Sequence, residues 1–324
     1  TVFGNCSLNQ VIKNVSKIRY SCNYNYLNGP SIFKGCSHPI IKETMMDATY
    51  FHGDDGLGNN NFPEQESGII DHDENNNNNA AEEIIKFCMK SHQNNEKTTL
   101  VMLGPLTNLA RAIQIKDDIV NYIDTIVIMG GCGNGHGNVR RTTEFNITAD
   151  CEAATIVFAN LTQYNKKCVI VSWELTLANT IPWTLFDQLN SEETDKVSTI
   201  SHFLREISLF SYNPQKREPL AHFSVPSEHF NGAVICDALA IAIALNPTEL
   251  IKHSQSVHVD VELKGELTRG QTVVDWGCYD GIIRTKNCDW VLQVNNNVFI
   301  EMFRSMYFID TNNNNREDEN KYEN

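Results

Sequence analysis

Glu144 and Asn146, in the run TEFN at 143–146, are the first groups placed to do chemistry together. In an extended segment both project to one side and Phe145 to the other. A carboxylate and an amide aimed at one cleft suit a sugar's hydroxyls, which both donate and accept hydrogen bonds. A turn whose polar groups merely face water fits the same pattern. Asp237 is the second such residue, set inside the apolar helix-forming run AVICDALAIAIAL. Burying an ionised carboxylate there is costly unless a cation or a set of donors compensates it. A helix N-cap and a metal ligand both answer that cost, and a carboxylate has an oxygen for each role.

Other candidates are weaker. HGDDGLG, His52–Gly58, is a glycine-bracketed loop that by itself reads as a solvated turn with His52 at the surface. The segment after Met129, GGCGNGHGNVRRTTEFN, lacks G-x-G-x-x-G, and no helix follows its glycines directly, which argues against a phosphate cradle. Asp71, Asp73, Asn75 and Glu82 fall at EF-hand spacing, but Asn76 stands where that loop needs glycine. The absence of G-x-S-x-G, H-E-x-x-H and P-loop motifs removes the commonest serine hydrolase, zinc protease and NTPase readings. The 10 cysteines contain no C-x-x-C and read as reduced thiols, not as a zinc site or a disulfide framework.

These residues need elements to position them. Thr99–Leu103, Thr125–Met129 and Cys168–Trp173 are β-rich runs, with helical patterns at Ala80–Lys90, at Leu106–Ile115 and from an Asp150 cap through Phe158. Strand, turn and helix in alternation predict an α/β fold: a mostly parallel sheet flanked by helices, with ligands bound at the carboxyl ends of the strands. The asparagine-rich stretch Phe62–Asn79 reads as a surface loop, and the tail after Asp310 as disordered. The net charge of -14 argues against nucleic acid or an anionic membrane as a partner. No apolar run reaches membrane-spanning length, and no signal-peptide pattern is present.

Taken in order, the blocks TVFGN, FHGDDGLG, LGPLTNLARA, IVIMGG, TEFNITADCEAA, CDALA and ELTRGQTVVDW make the chain resemble the inosine-uridine preferring nucleoside hydrolases. Each block alone is weak, but the ordered set is specific and runs from Thr1 to about Asp310. The resemblance implies a single domain over residues 1–310 followed by a tail over 311–324. It further implies hydrolysis of the N-glycosidic bond of a ribonucleoside, a Ca2+ cofactor and a homo-oligomer, while the reduced thiols point to a cytoplasmic enzyme. Carried over by position, Asp237 and the backbone carbonyl of Leu103 are metal ligands. Asn138, Glu144 and Asn146, with the Met129 main chain and Asn5, hold the ribose, and His52 lines the base end. Ser201–Tyr212 and Phe223–Phe230 are expected to build the base-side wall.

Two departures accompany the resemblance. Cys236 stands where better-known members carry a histidine that protonates the leaving base, and a thiol is a poorer acid for that purpose. A small core residue is the other reading of Cys236. The family's opening strand, ending in D-x-D-x-G-x-D-D, supplies most metal carboxylates and the catalytic base. The chain starts after it, so that strand and roughly 30 residues with it are expected to be missing. Thr1 in place of an initiator Met fits a fragment of an active enzyme. The rival is a non-catalytic nucleoside- or ribose-binding relative that has lost the metal.

Overall fold

The computed structural model of the chain describes residues 2–22, 24, 29–41, 46–63, 69–70, 79–195, 197–212 and 232–308. The first part contains α1 (Leu8–Ser21), β1 (Ile32–Phe33), α2 (Thr49–His52), β2 (Ile69–Ile70) and α3 (Asn79–Gln93). Next come β3 (Thr99–Met102), α4 (Thr107–Ile115), β4 (Thr125–Met129), α5 (Phe145–Ala149), α6 (Cys151–Gln163) and β5 (Cys168–Val171). After these follow α7 (Trp173–Ala178), β6 (Ile181–Pro182), α8 (Trp183–Leu189), α9 (Glu192–Asp195) and α10 (Thr199–Ser211). The last are β7 (Gly232–Ala233), α11 (Cys236–Leu245), α12 (Pro247–Leu250), β8 (Ile251–Val261), β9 (Thr272–Asp275), β10 (Cys288–Val294) and α13 (Asn296–Met306).

The central sheet has the order β3-β4-β5-β10-β8-β9. β3, β4, β5 and β10 run parallel, while β8 and β9 complete the sheet antiparallel. β4 shows why this sequence forms a middle layer. Ile126 and Ile128 join a core cluster with Leu109, Ala153 and Phe158, whereas Val127 and Met129 join Leu239, Ile243 and Phe303 on the opposite face. A strand's side chains alternate between faces, so a run of β-branched residues without polar interruption must be covered on both. Helices α4 and α6 cover one face and α11 and α13 the other, a three-layer α/β/α sandwich. Burying each such side chain contributes about 2 kcal/mol of transfer free energy.

The expected strands and helices at 80–171 are present, with α6 extending past Phe158 to Gln163 and α3 to Gln93. One correction falls in the stretch read as a surface loop: Ile69–Ile70 pairs in parallel with Ile32–Phe33. Two isoleucines amid asparagines are enough to form a ladder where a partner strand is offered. The EF-hand-like spacing beginning at Asp71 and the tail after Asp310 lie outside the described residues. None of the ten cysteines forms a disulfide, and Cys168 and Cys288, on adjacent parallel strands, bring their sulfurs to 3.5 Å, a hydrogen-bond contact and not a covalent one.

Candidate active site

A cavity of about 490 Å³ opens at the carboxyl ends of β3 and β4, lined by Asn5, His52, Leu103, Met129, Asn138, Glu144, Asn146, Cys236 and Asp237, the residues carried over by position above. That is where ligands enter parallel sheets. One end of it is polar. The Asn146 side-chain amide donates to the carbonyls of Leu103 and Met129, at 3.4 and 3.1 Å, and so ties the two strand ends together. Glu144 is the N-cap of α5. Its Oε1 accepts from the Asn146 N–H at 2.8 Å, and its Oε2 accepts from Ile147 N–H at 3.1 Å and Gly131 N–H at 3.0 Å. Asn138 Oδ1 accepts from Phe145 N–H at 2.9 Å, which fastens the third polar group to the same helix start.

The extended segment expected at 144–146 is therefore a helix entry. The first turn of a helix has N–H groups without partners, and a carboxylate at the cap satisfies them. The pairing of Glu144 with Asn146 survives for a different reason from the one expected: the cap bond itself joins them. Glu144 is only 2% exposed. Burial, with the nearby Glu174 charge adding to it, leaves its pKa raised, and the three N–H donors offset only part of that rise.

Asp237 is not a cap. The N-cap of α11 is Ile235, which makes no side-chain cap bond, and Asp237 sits in the first turn, accessible to the open cavity. Protein nevertheless surrounds its carboxyl closely enough to push the pKa up to about 7, with the Glu144 charge adding to the effect. No Lys or Arg among the described residues lines the cavity to offset it. A divalent cation would do so. Among the described residues, however, no three His, Cys, Asp or Glu side chains converge on a metal position. One carboxylate and the Leu103 carbonyl fall short of the about six to eight oxygens that calcium takes. The donors present do not complete a calcium shell.

Cys236 lines the cavity but turns its thiol toward Thr176 Oγ1, 3.5 Å away, and that hydroxyl donates onward to the Trp173 carbonyl at 2.7 Å. Burial pushes the thiol pKa up to about 12, with the charges of Asp237 and Glu144 adding to it.

The other end of the cavity is apolar. His52 closes α2 and packs edge-on to Phe51 at 4.9 Å, and Phe51 packs edge-on to Tyr212 at 5.5 Å. Burial pulls the His52 pKa down to about 4, so the ring is neutral near pH 7. The Tyr212 hydroxyl donates to the Val234 carbonyl at 2.5 Å, and Ser211 Oγ donates to the Phe51 carbonyl at 2.8 Å. The Asn5 carbonyl accepts from Ala48 N–H at 3.1 Å, which ties the N-terminal segment to the start of α2.

The solvated-turn reading of HGDDGLG holds for both acids, Asp54 being exposed. Asp55 Oδ1 accepts from Leu57 and Asn59 N–H, both at 2.8 Å, and so builds the turn. His52 departs from that reading by facing the cavity, because the turn at Gly53, with φ of 84°, folds it inward. Several cavity residues were missed: Trp173, Trp183, Phe303 and Tyr307. In sequence they look like core positions of amphipathic helices, and nothing distinguishes them. Phe223–Phe230 lies outside the described residues, whereas the Ser201–Tyr212 segment does supply Leu204, Ile207, Ser208 and Tyr212.

Comparisons with known proteins agree with this fold. The sequence profile described as inosine-uridine preferring nucleoside hydrolase matches residues 1–301. The inosine-uridine preferring nucleoside hydrolase of Leishmania major is 30% identical over 291 residues, covering 89% of this chain and 80% of that protein. The protein of the same description from Crithidia fasciculata is 28% identical over 281 residues, covering 85% and 78%. Among solved structures, an inosine-guanosine nucleoside hydrolase superposes with a TM-score of 0.78 at 27% identity, covering 94% of this chain and 88% of that one.

Proposed function

The chain belongs to the inosine-uridine preferring nucleoside hydrolase family, enzymes that hydrolyse the N-glycosidic bond of ribonucleosides, and we propose how its cavity serves that reaction. The ribose lies against Asn138, Glu144, Asn146, Asn5 and the Met129 main chain, and the base lies between His52, Phe51 and Tyr212. The observation that carries this reading is the convergence of Asn138, Glu144 and Asn146 on one helix start at the end of β3 and β4, in one cavity with Asp237.

As the bond to the base breaks, positive charge spreads over the ribose ring in an oxocarbenium-like transition state. Glu144, its oxygens fixed by three backbone N–H groups, is a preorganised negative group beside that ring. The apolar walls exclude bulk water, which strengthens the interaction. Leaving-group protonation does not fall to Cys236. Its proton is committed to Thr176, and a thiol with a pKa near 12 is a poor acid. Neutral His52 offers the base edge one donor and one acceptor. Asp237 and the Leu103 carbonyl are the donors this chain offers to the calcium ion that the resemblance implies. They form only part of its shell, so no step here passes through the ion.

Ribose release from inosine and from uridine, with calcium and with EDTA, tests the proposal. The expected result is release that follows protein concentration and is lost in Glu144→Ala. Tight binding of inosine without release, in folded protein and with calcium present, would replace hydrolysis by the binding-only reading. No helix among the described residues is long and apolar enough to cross a membrane. We place the protein in the cytoplasm because none of its ten cysteines forms a disulfide, as a reducing compartment would keep them. A homo-oligomer is the assembly that the family resemblance supports.

A further inference from the structure

The segment leaving β4 keeps its backbone pairing with the β5 side only as far as Gly130 and Gly131, yet every N–H from Gly130 to Gly133 has a partner outside it. Gly130 N–H donates to the Val171 carbonyl at 3.1 Å, and Gly131 N–H to Glu144 at 3.0 Å. Cys132 N–H donates to Thr272 Oγ1 at 3.0 Å, and Gly133 N–H to Glu174 Oε1 at 2.9 Å. Thr272 Oγ1 also donates back to the Cys132 carbonyl at 2.8 Å. Glu144 lines the cavity, whereas Glu174 and Thr272 do not.

The path is sterically tight as well. A Cβ on Gly133 would come within 3.0 Å of Trp276, 3.1 Å of Trp290 and 3.2 Å of Glu174. Gly131 has a φ of 81°, and a Cβ there would meet Thr272 at 2.9 Å. The segment thus lies against the two indoles on the Cβ side of Gly133, and the Gly133 N–H has a carboxylate as its acceptor. Hydrogen bonds to charged groups are the stronger kind, and a buried N–H left without one carries a full desolvation penalty. Five residues further on stands Asn138, which holds Phe145 N–H at the start of α5.

We infer that Glu174 is a positioning residue: through Gly133, with Thr272 acting beside it through Cys132, it sets the course of the segment that brings Asn138 and Glu144 to the ribose. This rests on the proposed use of the cavity. Glu174 lies on α7, behind the polar end, while the base end is built by α2 and α10. Loss of Glu174 therefore acts on the sugar and spares the base.

The experiment compares wild type, Glu174→Ala, Glu174→Gln and Thr272→Val. It measures kcat and KM for inosine, inosine affinity, and inhibition by the free base hypoxanthine. Glu174→Ala is expected to weaken inosine binding about tenfold, the factor that 1.4 kcal/mol makes, with hypoxanthine inhibition unchanged. Glu174→Gln keeps a carbonyl acceptor for Gly133 N–H and is expected to recover most of that loss. Thr272→Val keeps the shape and is expected to show the same split between nucleoside and base, so it carries the test if Glu174→Ala does not fold. Folded Glu174→Ala and Thr272→Val with wild-type inosine affinity overturn the inference. So does an equal loss for inosine and hypoxanthine, which marks a merely structural role. A wild-type protein that binds no inosine overturns the reading of the cavity itself, before any variant is compared.

Discussion

The two ends of the cavity are made differently. At the sugar end, Glu144 takes three backbone N–H bonds, and Asn146 spans two strand ends. At the base end, Phe51, His52 and Tyr212 meet mainly through ring edges, and the Tyr212 hydroxyl is turned onto the Val234 carbonyl. A site built from fixed polar groups rejects a ligand lacking its hydroxyl strongly, because those groups are then left unpaired. An apolar site separates similar shapes weakly. With the nucleoside placed as proposed, the molecule is expected to read the sugar strictly and the base leniently.

The hardest blow to that contrast is Glu144→Ala. It removes the negative group beside the reacting ring and leaves three N–H groups without their acceptor. The expected loss in kcat/KM for inosine is on the order of a hundred- to a thousandfold, the size seen for removal of a preorganised electrostatic group. The melting temperature is expected to fall too, because unpaired buried N–H groups cost about 1–3 kcal/mol each. Thermal unfolding with and without inosine separates the two effects. A variant with wild-type turnover would leave Glu144 a helix cap and nothing more.

The substrate itself sharpens the contrast next. Removing the ribose 2′-hydroxyl is expected to lower kcat/KM roughly a hundredfold or more, while exchanging inosine for uridine changes it by only about tenfold. Competition among inosine, 2′-deoxyinosine and uridine in one reaction gives both ratios. If the base exchange mattered more than the hydroxyl, the polar end would not be the discriminating one.

How far the sequence disclosed this arrangement follows the same division. The parallel strands were legible because TIVIM at 125–129 has no polar break, and a strand covered on both faces needs that. Asp237 was legible because a charge in a greasy helix is an anomaly wherever it occurs. The mode of pairing at 144–146 was not, since a three-residue run cannot show whether a carboxylate flanks an extended neighbour or caps a helix. The Gly133 anchor was equally hidden: Glu174 is 41 residues away, and Thr272 holds Cys132 across 140 residues. His52 and the Ser201–Tyr212 wall were expected at the base end, but the aromatic lining that Trp183 on α8 and Phe303 on α13 add was illegible for a third reason: both sit at spacings that any core helix shows.

The smallest effect expected is in stability against pH, where the two ends should pull in opposite directions. Asp237 is raised to about 7 by burial and the Glu144 charge. Between about pH 4 and 7 the folded state then holds a proton that the unfolded state has released, so this residue lowers stability as pH rises. His52 is pulled down to about 4 by burial. Between about pH 4 and 6.5 the unfolded state holds the extra proton, so His52 raises stability as pH rises. In wild type the two slopes oppose one another. Relative to wild type, Asp237→Asn should become more stable as pH rises through that window, and His52→Gln less stable. Urea midpoints measured at half-unit pH steps, in buffer free of divalent ions, read both differences. Slopes of the same sign would mean that one of the two groups is not enclosed as the cavity walls require, and an Asp237→Asn curve parallel to wild type would single out the polar end.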